Sequence, residues 1–463
     1  MRENTAKFIT LIFLCVLCSF ACFFVGMSVH QALSVGIFLM SIMGTLFFWQ
    51  FRLSFVFLGT ALLLVTKSIN LDQFLSMTSL EVILFLAGMM IVVSLLKDSG
   101  FFAWLVVLIL RVKKLTGKKF TLLVIIFSAV LACVVDEVTS IIFMVAAILE
   151  ICDYYEVNPM PFVIISILAT NIGSAATVLG NPIGIVIATK TGLGFEDFLS
   201  KALPLAVVSL IVTIGIVMFW FAKPIRDFDR QAKEFQANEI LLRLIAVPMD
   251  LQLKRGLAIF SFMIIFIAFH RPLELLLGLS SNTMLLIMPI ITAGFIMIWK
   301  SNKARMYVEK GIEWWTLLFF LFLFGQAGTL RYIGVTDFFA AELIKFAQHS
   351  SGILLTFVLW SSSIGSSMLD NVIVVVAYEP IVKSFISMGF GSQSFWWALL
   401  LGGCLGGNIT LIGSTANIVA LGILEKEKNI RIRFRDWIGI GASVGIGTTF
   451  IVWLMLTFLP LYK

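Results

Sequence analysis

Three carboxylates stand inside apolar sequence, where ionised groups are rare. Asp136 and Glu137 lie in the run SAVLACVVDEVTS (128–140), and Asp370 lies in the matching run SSIGSSMLDNVIV (362–374). A carboxylate at the centre of a membrane costs about 2.5–3.5 kcal/mol on insertion scales, so each of the three needs a partner. That partner can be a proton, a cation, or a neighbouring amide or hydroxyl. Two compatible interpretations stay open: ion binding, and capping of a hairpin turn.

Each carboxylate run is followed by a second polar segment. These segments read ATNIGSAATVLGNPIGIVIA (169–188) and LGGNITLIGSTANIVALGI (405–423). Their Gly, Ser and Asn residues, together with Pro182, predict helices that break inside the membrane. A broken helix frees carbonyl groups for a cation and turns the N-terminus of its second half towards an anion. Close packing of small residues is the alternative interpretation of the Gly and Ser residues alone.

Matched breaks in two halves of one chain indicate the binding site of a secondary transporter. Asn171 and Asn408 each precede small and hydroxyl residues in these segments, and we expect a possible Na+ site near them. No catalytic residue is predicted. The candidate substrate- or ion-binding residues are Asp136, Glu137, Thr139, Asn171, Thr177, Gly180, Asn181, Asp370, Asn371, Asn408, Thr410, Gly413, Ser414, Thr415 and Asn417.

Composition fixes the class of protein. The chain is 60% hydrophobic and 13% charged, with a mean hydropathy of +1.06, which is typical of a polytopic membrane protein. Its net charge of +7 comes from basic residues clustered in short loops, a signal of membrane topology rather than of nucleic-acid binding. The six Cys and three His have no zinc or disulfide spacing. We expect no cofactor beyond a coupling ion, Na+ or H+.

Apolar runs predict an all-α membrane protein with eleven transmembrane helices, two re-entrant hairpins and two broken helices. The hairpins cover 120–151 and 353–387, and the broken helices cover 159–190 and 395–424. Short runs at 101–112 and 335–347 are expected at the interface. The remaining crossings are 8–29, 32–50, 53–69, 79–97, 203–222, 256–270, 282–299, 314–333 and 437–459.

Charge gives the orientation of these crossings. With a cytoplasmic N-terminus and re-entrant hairpins, the basic clusters all fall on the cytoplasmic side. The two halves, 1–222 and 256–463, then form inverted repeats joined by a cytoplasmic linker, 223–255. Trp314/Trp315 and Trp396/Trp397 are expected to be interface anchors. The basic clusters are Arg111, Lys113, Lys114, Lys118 and Lys119; Lys223, Arg226, Arg230, Lys233, Arg243, Lys254 and Arg255; Lys300, Lys303, Arg305 and Lys310; and Lys426, Lys428, Arg431, Arg433 and Arg435.

Four motifs resemble the ion transporter superfamily, in the branch of arsenite permeases (ArsB), NhaD-type sodium/proton antiporters and the melanosomal P protein. They are VDEVT (135–139), NIGSAATVLGNP (171–182), LDNV (369–372) and GGNITLIGSTANIV (406–419). The resemblance implies the fold of dicarboxylate/sodium symporters, a homodimer and elevator-like alternating access. It carries site roles to Asp136, Asn171, Thr177 and Gly180, and to Asp370, Asn371, Asn408, Thr410, Ser414 and Asn417.

Two departures from the family pattern bear on the transported species. The family commonly has Asp-Asn where this chain has Asp136-Glu137, and Gly-Asp-Pro-Pro-Asn where it has GNPIG (180–184). One carboxylate is gained and another is lost, which changes the number of groups that can bind a coupling cation.

The leading hypothesis is a secondary transporter of a small inorganic ion in the inner membrane. Na+/H+ antiport and arsenite or antimonite efflux are the main options. Sodium-coupled transport of a dicarboxylate or other anion is the alternative, although neither motif contains an Arg or Lys to pair with an anion. A polytopic enzyme acting on a lipid-linked substrate is a distant alternative, because such an enzyme needs no inverted repeat. The expected partners are membrane lipid and the transported ion.

Overall fold

The fold is described by a computed structural model for residues 2–110, 112, 115–235, 250–390 and 393–462, which form helices and loops and no strand. Arg111, Lys113, Lys114 and Arg243 lie outside these described residues, as does 236–249 of the predicted linker. The first part of the linker belongs to a helix, Ala222–Phe235.

The helices follow one another with short connections. In the first half they are α1 (Arg2–Phe24), α2 (Val29–Phe47), α3 (Arg52–Val65), α4 (Leu71–Ser76), α5 (Leu80–Asp98), α6 (Phe101–Leu110), α7 (Gly117–Val134), α8 (Glu137–Tyr154), α9 (Met160–Gly173), α10 (Pro182–Thr191), α11 (Leu203–Trp220) and α12 (Ala222–Phe235). In the second half they are α13 (Leu251–Ala268), α14 (His270–Leu277), α15 (Thr283–Trp299), α16 (Ser301–Met306), α17 (Trp314–Tyr332), α18 (Val335–Phe346), α19 (Ser351–Met368), α20 (Asn371–Ser387), α21 (Ser394–Gly406), α22 (Thr415–Lys428) and α23 (Phe434–Phe458).

The described helices confirm an all-α polytopic membrane protein. Eight of them are long and apolar enough to cross a membrane, or nine if the bent pair Ser301–Gly311 and Trp314–Tyr332 is one span. The eight include α7 and α19, each the first arm of a predicted hairpin. Shorter apolar helices, among them Trp49–Val65 and Thr283–Trp299, occupy other predicted crossings. Because length and composition do not show which helices cross, the number eleven stays a prediction.

Two helical hairpins lie where the sequence predicts them. The first hairpin is α7 with α8, and the second hairpin is α19 with α20. Val135 and Asp136 separate the arms of the first, and Leu369 and Asp370 separate the arms of the second. The turns are this short because each aspartate caps the N-terminus of the second arm with its own side chain.

The two broken helices also lie at the predicted positions. The first broken helix is α9 with α10 and is interrupted over 174–181, and the second broken helix is α21 with α22 and is interrupted over 407–414. Pro182 is the first residue of α10. The backbone N–H at this position makes no hydrogen bond within a helix, so a proline, which lacks it, is tolerated there. The interruptions are rich in Gly, Ser and Asn, which favour turns and caps over helix interiors.

The two halves pack in the same way internally, and the second part of each broken helix contacts the other half. In each half the first hairpin arm packs against the first part of the broken helix, α7 on α9 and α19 on α21. The second part of each broken helix packs instead on the hairpin of the other half, α22 on α8 and α10 on α20. Hairpins and broken helices thereby form one interlocked group, which contacts α5 and α17 on one side.

The predicted interface role of two tryptophans is wrong. Trp396 and Trp397 are 3% and 1% exposed, and the ring of Trp397 meets Phe198 edge-on at 5.0 Å between centroids. They lie in α21, which is enclosed by α19, α20 and α23, so their aromatic surface is covered by protein. Trp314 and Trp315 are exposed, as an interface position requires.

One glycine in each half allows a hairpin arm and the broken helix to pack closely. A Cβ added at Gly173 would lie 2.3 Å from the carbonyl oxygen of Ala129, and one added at Gly406 would lie 2.2 Å from that of Ser363. We therefore expect Gly173→Ala and Gly406→Ala each to lower the free energy of unfolding by about 1–3 kcal/mol through overpacking. Thermal unfolding in detergent measures the loss.

The matched control is Gly215→Ala, in α11, where an added Cβ meets no atom within 4 Å. That variant should be as stable as the wild type or more stable, because Ala favours helix. An equal response at all three glycines would contradict the close packing of α7 on α9 and of α19 on α21.

Candidate functional site

Four helix N-termini meet around one cavity. They are those of α8, α10, α20 and α22, and each is capped by a residue singled out from the sequence. The caps accept hydrogen bonds from the first helical turn: Asp136 from the amide of Thr139 at 2.8 Å, Asn181 from Gly184 at 2.9 Å, Asp370 from Val372 at 3.1 Å and Ser414 from Ala416 at 3.1 Å. The aspartates thus do what the capping interpretation requires, at helix ends whose dipoles stabilise negative charge.

The cavity has a volume of about 180 Å³ and is lined by four carboxylates. Asp136, Glu137 and Asp370 lie in its interior, and Glu313 stands exposed at its mouth. Thr139 and Thr415 are also in the lining, while Lys97 and Lys310 are exposed beside the mouth. Five of the candidate residues therefore share one enclosed space: Asp136, Glu137, Thr139, Asp370 and Thr415.

A hydrogen bond between the two hairpins holds Glu137 in place. The Asn371 amide donates to both carboxylate oxygens, at 3.2 and 3.1 Å, and the Ser174 hydroxyl donates to Oε2 at 3.2 Å. Glu137 is 2% exposed, and Asn371 is fully buried. The unusual glutamate thus meets the asparagine that occupies the equivalent position of the other hairpin, so its role includes joining the two halves.

Asp370 is held by both elements of its own half. Its Oδ1 caps α20, and its Oδ2 accepts a hydrogen bond from the Thr415 backbone amide at 2.9 Å and another from the Thr415 hydroxyl. It is 4% exposed. This carboxylate therefore ties the second hairpin to the N-terminus of α22.

Asp136 lacks the corresponding tie. Pro182 begins α10 as Thr415 begins α22, and a proline has neither a backbone N–H nor a hydroxyl to donate. Asp136 is only partly buried and faces the cavity. The two aspartates occupy equivalent positions, yet Asp370 is hydrogen-bonded to the broken helix of its own half and Asp136 receives no such bond from Pro182.

Two threonines bind the interruptions to the hairpins. Thr177 donates its hydroxyl to the carbonyl of Cys133, and Thr410 donates to that of Ser367, at equivalent places in the two halves. Gly180 and Gly413 lie beside them, where a Cβ would meet backbone oxygen at 2.2 Å and 2.7 Å respectively. These four candidate residues shape the broken helices and do not line the cavity.

The asparagines form a buried cluster that crosses between the halves. The Asn171 side-chain amide donates to Oδ1 of Asn408 at 2.8 Å and to Oδ1 of Asn417 at 2.9 Å. Asn417 in turn donates to the carbonyls of Gly407 and Thr410, at 2.8 and 3.0 Å. Asn171, Asn408 and Asn417 are all fully buried.

Asn171 and Asn408 do not occupy equivalent positions of the repeat. Gly173 and Gly406 are equivalent by packing, and Thr177 and Thr410 are equivalent by hydrogen bonding. Asn171 precedes its glycine, whereas Asn408 follows its own, so the two belong to different positions of the repeat. They meet because the two broken helices face each other, which spacing along the chain does not reveal.

The residues around Asn171 and Asn408 provide only some of the oxygen ligands that a Na+ ion needs. Among the described residues, Oδ1 of Asn171 is buried without a hydrogen-bond partner, which suits a cation ligand. The oxygens of Asn408 and Asn417 already accept hydrogen bonds from Asn171.

Sequence reasoning misses several site residues. Glu313 stands where a crossing begins, and Arg52 precedes an apolar run. Arg52 is only 7% exposed, and its guanidinium donates to the Thr316 hydroxyl at 2.9 Å. Cys404 accepts a hydrogen bond from Asn181 at 3.1 Å. No motif marks these residues, because they come from elements outside the duplicated segments or have side chains common in packed helices.

Comparison with known proteins identifies related transporters. The family described as "Citrate transporter" (CitMHS) matches residues 37–402. A Mycobacterium tuberculosis protein described as an uncharacterized transporter is 30% identical over 75% of this chain and 79% of its own length. The human P protein is 23% identical over 79% of this chain and 52% of its own.

A solved structure supports the fold. The Alcanivorax borkumensis YdaH transporter superimposes with a TM-score of 0.56 at 11% identity, covering 85% of this chain and 88% of that one. The family match over residues 37–402 and the similarity to the P protein confirm the resemblance to the ion transporter superfamily that the four motifs carry.

The asparagine cluster gives a test of the contact between halves. Replacing Asn171 with Ala removes both donated hydrogen bonds and leaves buried oxygens of Asn408 and Asn417 without them. We expect the free energy of unfolding to fall by about 1–3 kcal/mol, measured by thermal unfolding in detergent. Asn302→Ala, at an exposed position, is the control and should leave the unfolding midpoint unchanged. Equal midpoints for the two variants would argue against the cluster.

Proposed function

The chain belongs to the citrate transporter (CitMHS) family of membrane transporters, and we propose that it is a secondary active transporter of a small inorganic ion, coupled to Na+ or H+. The observation that carries the proposal is the cavity between the hairpins, with three carboxylates in its interior and a fourth at its mouth. Na+/H+ antiport is the function that this lining supports best.

The charge of the cavity favours a cation. Asp136, Glu137 and Asp370 receive hydrogen bonds from neutral groups, namely amides and hydroxyls. Such bonds stabilise the carboxylates and leave their charge in place. Enclosed negative charge of this density is neutralised by protons or by a bound cation, and exchange of one for the other is antiport. Asp136, which lines the cavity and is only partly buried, is the carboxylate that we expect to bind the ion directly.

The position of the mouth supports alternating access. Lys97, Lys310 and Glu313 lie at the helix ends that the charge pattern predicts to be cytoplasmic, so the cavity opens towards that side. The interlocked hairpins and broken helices form one wall, and α5 and α17 form the other. In the proposed elevator-type cycle, the first group moves against the second and carries the ion across. A homodimer in the inner membrane, with a cytoplasmic N-terminus, completes the proposal.

Coupled transport of an anion is the second candidate. Four helix N-termini point at the cavity and Arg52 lies behind Thr316, an arrangement that would stabilise a carboxylate ligand. The family description names citrate as a substrate of its members. Arsenite efflux has less support, because the thiols near the interruptions are those of Cys133 and Cys404 alone among the described residues, and arsenic is commonly held by three.

Flux in reconstituted vesicles separates these candidates. Purified protein in proteoliposomes is assayed with Na+, H+, arsenite, succinate and citrate, each under a Na+ or a pH gradient. We expect Na+ to drive counter-movement of protons and expect Asp370→Asn to reduce that flux to background, because it removes a cavity charge. Asp153→Asn, whose carboxylate makes an exposed ion pair with Lys428, is the control and should keep full flux. Flux of citrate or arsenite without Na+/H+ exchange would overturn the leading proposal.

The pH dependence of flux tests Glu137. If cation binding requires Glu137 to release a proton, wild-type flux rises as the pH rises. Glu137→Gln stays neutral at every pH, so we expect its flux to lack that rise. Glu150→Gln, on the exposed face of the same helix α8, should retain the wild-type profile. An unchanged profile in Glu137→Gln would restrict Glu137 to its structural role with Asn371 and Ser174.

A further inference from the structure

We propose that Arg52 is a fixed internal cation that competes with the transported cation for the carboxylates of the cavity and so sets the affinity of the site. The inference rests on the proposed cation transport, and it adds a positive charge of the protein that opposes binding of the transported cation. Arg52 belongs to α3, outside the four duplicated segments, and none of the site motifs includes it.

The guanidinium of Arg52 is held firmly. It lies over the ring of Trp49 at 4.6 Å and over the ring of Phe319 at 5.2 Å from the ring centroids. Its Nη2 donates to the Thr316 hydroxyl at 2.9 Å, and that hydroxyl donates to Glu313 at 3.3 Å. Two aromatic faces and a hydroxyl thereby fix a buried positive charge, and an arginine keeps its proton even when buried.

This charge acts on the cavity through its lining. Thr316, Glu313 and Asp370 all line the cavity, and the two carboxylates are the acidic groups whose charges act on Arg52. Glu313 also acts electrostatically on Asp136 across the same space. Arg52 therefore belongs to the same electrostatic system as both cap carboxylates, although its hydrogen bond goes to the wall formed by α17.

A fixed positive charge beside a cation site has two effects. It repels the transported ion and stabilises the ionised carboxylates in its absence, so it lowers the affinity for every cation alike. A transporter needs such a limit, because an ion bound too tightly is not released on the far side. A substrate-binding role would have a different signature, since loss of Arg52 would then weaken the binding of an anion.

Charge-altering variants of the reconstituted full chain test the proposal. We expect Arg52→Gln to lower the Na+ concentration for half-maximal flux by about tenfold, the scale of one charge acting through a partly solvated interior. It should also lower the maximal flux, because release slows. Arg52→Lys keeps the charge and should shift the Na+ concentration much less than the Gln variant does. Arg305→Gln, which removes an exposed arginine paired with Glu309, is the matched control and should behave as wild type.

A variant that removes a negative charge distinguishes an electrostatic effect from misfolding, because the two charge changes should shift the half-maximal Na+ concentration in opposite directions. Glu313→Gln removes a negative charge at the mouth and should raise the half-maximal Na+ concentration, by less than the Arg52 effect because Glu313 is exposed to water. The double variant should fall between the two single ones. If protons alone drive flux, the same charges act on proton binding, and the pH of half-maximal flux moves upward in Arg52→Gln and downward in Glu313→Gln. The charged groups in the cavity lining are Asp136, Glu137, Asp370, Glu313, Lys97 and Lys310, and Arg52 lies behind this lining, hydrogen-bonded to Thr316.

The outcomes distinguish the two proposals. Absence of cation flux in the wild type contradicts the proposed function itself. If the wild type transports the cation normally, but Arg52→Gln and Glu313→Gln leave the half-maximal Na+ concentration unchanged or shift it in the same direction, only the proposed role of Arg52 is contradicted. Loss of citrate or succinate flux in Arg52→Gln, with an unaltered Na+ response, would make Arg52 an anion ligand and overturn the inference.

Discussion

Pairing of backbone groups at four interrupted helix ends is the constraint on which the rest of this structure depends. Inside a membrane no bulk water is available to the free amides of a helix N-terminus, so each must find a partner within the protein. Asp136, Asn181, Asp370 and Ser414 supply those partners from their own side chains. Two of these caps carry a carboxylate, and the helix dipoles make the charge tolerable. The groups that stabilise the breaks are therefore the groups that give the cavity its chemistry.

The repeat is symmetric in its packing and unequal in its chemistry. Thr177 and Thr410 make the same hydrogen bond, and Gly173 and Gly406 allow the same close contact. The halves differ at the first residue of the second half-helix. Thr415 donates hydrogen bonds to Asp370 from its backbone amide and its hydroxyl, whereas Pro182 has neither group to donate to Asp136. An additional charge stands at Glu137, where it accepts hydrogen bonds from the second hairpin. Fold symmetry thus fixes where the carboxylates lie, and single substitutions decide which groups donate hydrogen bonds to them.

The sequence predicts the elements of this fold better than their contacts. Hairpins and breaks are readable because polar residues, Gly and Pro interrupt long apolar runs, and inside a membrane such interruptions are tolerated only where protein or a watery cavity satisfies the freed backbone groups. The partners of Asn171 are not readable, since Asn408 and Asn417 come from the other half of the chain. Arg52 and Glu313 look like charges at helix ends, a pattern that topology alone accounts for. The aromatic pair Trp396/Trp397 misleads for the same reason, because the sequence does not show which helices are enclosed by their neighbours.

The exchange of half-helices decides where motion is possible. Because α22 packs on the first hairpin and α10 on the second, neither hairpin can move without the other half's broken helix. Glu137 with Asn371 and Asn171 with Asn408 add buried hydrogen bonds across the same boundary, which makes separation of the halves costly. The cavity, by contrast, lies between this group and the helices α5 and α17. Asp136, Glu137 and Asp370 lie on one side of that boundary, and Glu313 and Arg52 lie on the other. Any sliding along it changes the distances between those charges, so in the proposed cycle the affinity for a cation would differ between the two ends of the movement.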